Sequence, residues 1–83
     1  MNRVTTEQIN EIMESALITV NTLHGKVTIV TAKLYNGFVI VEASGAVDIE
    51  NYSEEVGTEI CLERIRNKVW ELEGYHLACQ LAN

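Results

Sequence analysis

The spacing of apolar and polar positions changes character twice along this chain. Behind Thr5-Thr6-Glu7-Gln8, Ile9, Ile12, Met13, Ala16 and Leu17 fall at i, i+3, i+4, i+7 and i+8, while Glu7, Glu11 and Glu14 take the opposite side. That spacing predicts an amphipathic helix ending near Ala16. Thr5 is placed as its N-cap, with Gln8 closing a capping box. The same period can be followed on to Val20. The β-branched content of Ile18, Thr19, Val20 and Thr22 favours a strand there instead.

From Leu17 to Ser44 the pattern predicts three strands and two tight turns. Asn36-Gly37, between Lys33-Leu34-Tyr35 and Phe38-Val39-Ile40-Val41, is the stronger turn signal and suits a type I′ hairpin. His24-Gly25 makes the first turn. A two-residue turn at Asn36-Gly37 sets Leu34 opposite Val39, Ala32 opposite Val41 and Val30 opposite Ala43, all on one face. The other face then carries Tyr35, Phe38, Lys33, Ile40, Thr31 and Glu42, joined by Ile18, Val20, Val27 and Ile29. The expected sheet is therefore apolar on both sides, unlike an antiparallel sheet with one wet face. Two helices can cover one face, and a second copy of the chain is the simplest cover for the other.

Beyond Ser44 the apolar period lengthens again. Gly45, Asp48, Asn51 and Ser53 punctuate a loop, and Ser53 is placed as the N-cap of a long helix with Glu54 and Glu55 in its first turn. Its core face is expected to carry Val56, Ile60, Ile65, Val69, Leu72, Leu77 and Leu81. Seven acids and no base lie between Glu42 and Glu63 in the linear order. Arg64, Arg66 and Lys68 form the basic cluster, with Glu59 and Glu63 as helical ion-pair partners. The order is α-β-β-β-α, an α+β fold in a single domain over residues 1–83.

The chain has 83 residues, 12 acids, 6 bases and a net charge of −6, so direct nucleic-acid binding and anionic-membrane binding are disfavoured. The longest apolar run, Phe38–Val41, is far too short to span a bilayer. No apolar h-region or cleavage site follows Arg3, so a secretory signal within this chain is not expected. Cys61 and Cys79, if on one helix, lie roughly 27 Å apart, beyond disulfide reach. Both are expected as reduced thiols packed like small hydrophobes.

Catalytic signatures are missing: there is no G-x-G-x-x-G, Walker A loop, C-x-x-C or H-E-x-x-H. His24 reads as a turn residue, and His76 lies near the helix C-terminus. Neither has companions spaced for a metal, and no cofactor is expected. Glu73, in Trp70-Glu71-Leu72-Glu73-Gly74-Tyr75, is the carboxylate best placed for partial burial. An enzyme would use it with His76 or Tyr75. Asn51-Tyr52-Ser53 has the form of a glycosylation acceptor, without consequence in a cytosolic protein. Gly57 and Gly74 interrupt the helical pattern at a cost of about 1 kcal/mol each. Either marks a close approach of backbone or ligand, or, at Gly74, a kink or helix end. Tyr52, Trp70 and Tyr75 read first as core residues, with binding anchors as the alternative.

Asn36-Gly37-Phe38, Val41-Glu42-Ala43-Ser44, Val47-Asp48, Glu50-Asn51-Tyr52, Glu55-Val56-Gly57 and Lys68-Val69-Trp70-Glu71-Leu72-Glu73-Gly74-Tyr75-His76-Leu77 together resemble a family of small tailed-phage proteins. It is the family typified by homologues in N4-like and Sf6-like podoviruses. The resemblance spans roughly residues 27–81. Members often carry a cysteine near Ala46 and a proline near Ile49, and this chain departs at both. The resemblance implies a phage origin and action in the cytoplasm of the infected host, where small accessory proteins modify host processes or blunt defence.

The expected function is non-enzymatic, stoichiometric binding by a homo-oligomer. In one version a pocket between subunits sequesters a small nucleotide-like signal. The basic cluster Arg64, Arg66 and Lys68, or Lys33 on the apolar sheet face, would receive phosphates, and Tyr52, Trp70 or Tyr75 would stack the base, with Phe38 and Asn51 as further candidate ligand-binding residues. In another, the acidic stretch docks on a host defence protein. A structural dimer without ligand, or a small enzyme built on Glu73, are the remaining readings.

Overall fold

Residues 2–82 are described by a computed structural model. Helix α1 spans Thr6–Ser15, strands β1, β2 and β3 span Leu17–Leu23, Val27–Lys33 and Val39–Gly45, and helix α2 spans Glu54–Leu81. The order α-β-β-β-α makes this an α+β fold with an antiparallel meander β1-β2-β3.

Local chemistry sets the ends of the elements. Thr5 Oγ1 accepts from Gln8 N–H at 3.2 Å and Gln8 Oε1 accepts from Thr5 N–H at 2.7 Å, closing the capping box. Ala16 is already extended, so the chain turns into β1 and the helical period does not continue to Val20. Asp48 caps a single 3₁₀ turn, Ile49–Asn51, and Ser53 Oγ accepts from Val56 N–H at 3.2 Å to start α2.

The hairpin chemistry is the reverse of that expected. His24 and Gly25 both have positive φ, 54° and 69°, with Lys26 N–H donating to the Leu23 carbonyl, the signature of a type I′ turn. Lys26 adds one residue before the ladder resumes at Leu23↔Val27. At Asn36-Gly37 only Gly37 has positive φ. Gly37 N–H donates to the Leu34 carbonyl and Leu34 N–H to that of Phe38, making a three-residue loop with a left-handed glycine last.

Each loop shifts its register by one residue from the expected pairing. The pairs are Lys33↔Val39, Ala32↔Ile40, Thr31↔Val41 and Val30↔Glu42, with Ile18↔Ala32 and Val20↔Val30 on the other side. A shift of one residue exchanges the faces of a strand. Ile40, not Val39 or Val41, shares the inner face with Val30, Ala32 and Leu34, and Ile18 and Val20 lie on that face too. The outer face carries Leu17, Leu23, Val27, Ile29, Val39, Val41 and Ala43, with Thr19, Thr31, Asn21 and Lys33 among them. The sheet is apolar on both sides, with a different membership.

One helix covers the inner face, not two. Helix α2 lies on β2 and β3 and buries a strict i, i+4 stripe of Gly57, Cys61, Ile65 and Val69. Val56 and Ile60 flank that stripe and stay exposed, as does Leu81. A helix of this length reaches roughly 42 Å and a seven-residue strand about 23 Å, so α2 overhangs the sheet. Helix α1 packs on α2 beside that overhang through Ile9 and Ile12, giving an elongated body of 52 × 20 × 19 Å.

The two helical glycines part ways. At Gly57 an added Cβ would stand 2.8 Å from Thr28 Cβ and closer still to Thr28 Oγ1, so the glycine admits β2 against the helix backbone. At Gly74 nothing lies within 4 Å, and α2 runs through it to Leu81, so it is neither an end nor a close approach. Gly57→Ala is expected to lower stability by about 1–3 kcal/mol through overpacking. Gly74→Ala is expected to raise it by up to about 1 kcal/mol through helix propensity. Urea unfolding of both variants beside the wild type checks the opposite signs.

Candidate functional site

Two segments distant in sequence meet where the overhang of α2 passes the β2–β3 loop. They frame a cavity of about 260 Å³. Its floor is Ile12, Leu34, Val69 and Leu72, its aromatic walls are Tyr35 and Phe38, and Asn36, Glu73 and His76 form a polar rim. A larger polar cleft of about 520 Å³ adjoins it, sharing Glu73 and His76 and adding Arg3, Gln8 and Gln80. An apolar floor with aromatic walls and few polar groups is the usual make-up of a small-molecule site. The rim of the smaller cavity has a carboxylate and no lysine or arginine, so by itself it does not suit a phosphate.

The residues singled out from sequence are spread over the molecule. Phe38 is the one that lines this cavity. Lys33 ends β2 on the outer face of the sheet. Arg64 donates from Nη1 to the Ala43 carbonyl at 2.9 Å, at the outer edge of β3. Lys68 approaches Glu71 at 3.9 Å on the solvent side of α2, an exposed pair of little energetic weight. Arg66, the third cation of the cluster, donates to Asn10 Oδ1 at 2.7 Å and ties α2 to α1. The ion pairs expected with Glu59 and Glu63 do not form among the described residues. The three cations serve three separate partners and do not converge within one chain.

The aromatics divide in the same way. Trp70 is half-buried against the start of α1. Tyr75 is exposed on the overhang. Tyr52 is committed to the fold: its hydroxyl lies 2.6 Å from Thr28 Oγ1 and 2.7 Å from Thr22 Oγ1, and Thr22 in turn donates to Glu54. This network satisfies Thr28, which is fully buried. Asn51 ends the 3₁₀ turn beside a small cavity lined by Tyr52, Val56 and Gly57. His24 is the turn residue it was read as. His76 lines the two cavities with Glu73, and no hydrogen bond joins them among the described residues.

Sequence reading missed Tyr35, Asn36 and Gln8 as lining residues. Asn36 reads as turn chemistry, Tyr35 as a sheet-face residue with Phe38, and Gln8 as part of the capping box. The available signal was that Asn36-Gly37-Phe38 and Leu72-Glu73-Gly74-Tyr75-His76 both carry the family resemblance, and they face one another across the cavity.

The class defined by this architecture is a small α+β protein with an uncovered sheet face and a helix–hairpin cavity. Over residues 4–81 the chain matches the family described as phage protein (N4 Gp49/phage Sf6 gene 66), and it belongs to that family. No curated protein and no solved structure matches it. Among the described residues no helix is long and apolar enough to cross a membrane, and no cluster of His, Cys, Asp and Glu could hold a metal ion.

The cysteines differ, contrary to the shared core role expected of them. Both lie on α2, but Cys61 sits over the sheet and is buried, whereas Cys79 is on the overhang and exposed. Burial pushes the Cys61 thiol up, with nearby Glu42 adding to the shift and Arg64 opposing it. One thiol per chain is therefore expected to react with a thiol reagent in native buffer and two in denaturant. Cys79→Ser should abolish the native reaction; a fast-reacting Cys61 would contradict the packing.

Proposed function

We propose that the chain is a phage accessory protein that acts by stoichiometric, non-catalytic binding as a homo-oligomer in the cytoplasm of the infected cell, countering host defence. The observation that carries the self-association is the apolar surface of the sheet that α2 leaves open, along β1 and across the outer face. Leu17, Leu23, Val39 and Val41 are exposed there, and none of the described elements covers them. A small acidic domain gains by burying such a face against a neighbour.

The ligand of this reading is a small nucleotide-like signal held where subunits meet. Its support is the scatter itself: Lys33, Phe38, Arg64, Lys68 and Tyr75 are all exposed, at separate places on one subunit. A pocket using several of them needs residues of a neighbour. Phosphates would go to Lys33, Arg64 and Lys68, and the base to Phe38 or Tyr75.

A second reading has its own observation. Asp48, Glu50, Glu54, Glu55, Glu59 and Glu63 are all exposed along the loop and first turns of α2. That strip suits a basic host protein.

Calorimetric titration with a panel of linear and cyclic nucleotides, paired with native mass measurement, tests the proposal. A complex larger than one 9.3 kDa chain that binds a nucleotide at a fixed ratio per subunit is expected. Lys33→Ala should weaken that binding by roughly tenfold or more, as loss of a charge-assisted contact does. An assembly that binds none of the panel sinks the ligand reading in favour of the acidic strip. A lone chain at micromolar concentration sinks the shared pocket.

A further inference from the structure

The two edges of the sheet are not equivalent. At the edge of β3 the Arg64 guanidinium lies across the strand and caps the outward carbonyl of Ala43 at 2.9 Å. Among the described residues no side chain caps an outward backbone group of β1, and Tyr52 and Glu54 reach only the Thr22 hydroxyl on its inner face. Every residue from Leu17 to Leu23 is exposed, none is charged, and neither proline nor lysine interrupts the strand. Natural edges are normally blunted by one of these devices. Because α2 rides over β2 and β3, even the inner-face residues of β1 stay open, with Ile18 39% and Val20 37% exposed.

The ladder geometry says which groups are unpaired. Leu23 turns its carbonyl toward β2, where it accepts from Lys26 N–H. Alternation along an antiparallel strand then directs the N–H and C=O of Ile18, Val20 and Thr22 outward. The strand is also close to its own mirror in chemistry. Reversed about Val20, Leu17 meets Leu23, Thr19 meets Asn21 and Ile18 meets Thr22. Apolar faces apolar and polar faces polar, apart from the Ile–Thr pair, which is the self-complementarity an isologous contact requires. None of the strand's own side chains carries a charge, and Glu54 touches it only at the Thr22 hydroxyl.

We propose that the outer edge of β1 seats a second copy of this chain, added antiparallel with Val20 opposite Val20 of the partner. The proposal deepens the homo-oligomer reading and rests on it. Val20 with its mate, and Ile18 with Thr22, exchange both of their N–H···O bonds, giving one continuous six-stranded sheet. Cross-strand partners share a face, so both copies of α2 lie on the same side. Between them runs a groove floored by Ile18 and Val20 from each copy, and on the other side the two apolar faces become one.

Val20→Pro tests this. Proline there removes an outward N–H and leaves the bonds to β2 intact, the setting in which an edge strand tolerates it. Sedimentation should show the wild type as a dimer and Val20→Pro with dimerisation weakened by roughly 100-fold, since two junction carbonyls lose their donors. Val41→Lys, on the outer face, should remain dimeric. Hydrogen exchange on the wild type gives a reading that needs no variant: the amides of Ile18, Val20 and Thr22 should be protected, and less so on dilution. Free exchange of those amides in a dimer overturns the edge proposal, as does a Val20→Pro dimer as tight as the wild type. Dissociation by Val41→Lys with Val20→Pro intact moves the interface to the sheet face, leaving the homo-oligomer reading in place. A monomeric wild type overturns both.

Discussion

Much of this structure depends on how closely α2 can sit on the middle strand. Gly57 supplies the absent side chain that lets the helix backbone reach Thr28, and the buried stripe Cys61, Ile65 and Val69 follows at steps of one helical turn. Thr28 is fully buried and is satisfied through the Tyr52 hydroxyl, which also binds Thr22 of β1. The loop before α2, the helix and two strands are thereby fixed to one another. A buried hydroxyl without that partner would be costly, so the contact specifies the geometry as well as tolerating it.

With α2 seated there, the remaining surfaces are consequences. The helix is longer than the sheet, so its second half leaves the strands and takes α1 as its cover. The junction of that helical pair with the β2–β3 loop opens the cavity that brings Phe38 and Asn36 to Glu73 and His76. One helix cannot cover three strands and both faces. It leaves β1 and the outer face of the sheet exposed, and that exposed surface is what the proposed self-association would bury.

The candidate site was only partly legible in the chain. Phe38, Glu73 and His76 stood out by residue type and by the family resemblance, yet nothing in their spacing set them around one cavity. The basic cluster Arg64, Arg66 and Lys68 looked convergent because it is compact in sequence. On a helix Arg66 points away from Arg64 and Lys68, and each cation found its own local partner, Ala43, Asn10 or Glu71. Tyr52 reads from sequence as core or as a stacking anchor, and its hydroxyl links the buried Thr28 to the exposed Thr22 and Glu54. Cys61 and Cys79 share a helical face, but the end of the sheet lies between them, so one is buried and the other is not.

Short-range physics was readable from the residues alone. The capping box at Thr5–Gln8, the Ser53 cap, the three strands and the order α-β-β-β-α all follow from side chains a few positions apart. So did the two-faced apolar character of the sheet, since strands rich in β-branched residues at both parities stay greasy whichever way they face. Which residues form each face was decided by the loops. One extra residue at Lys26 and a three-residue turn at Gly37 reverse the assignments of β1 and β3. Turn type follows from backbone dihedrals that His-Gly and Asn-Gly both permit, and at Gly37 the register adopted is the one that puts Ile40 under α2. Burial of the helix likewise depends on where the sheet ends beneath it, which no local pattern contains.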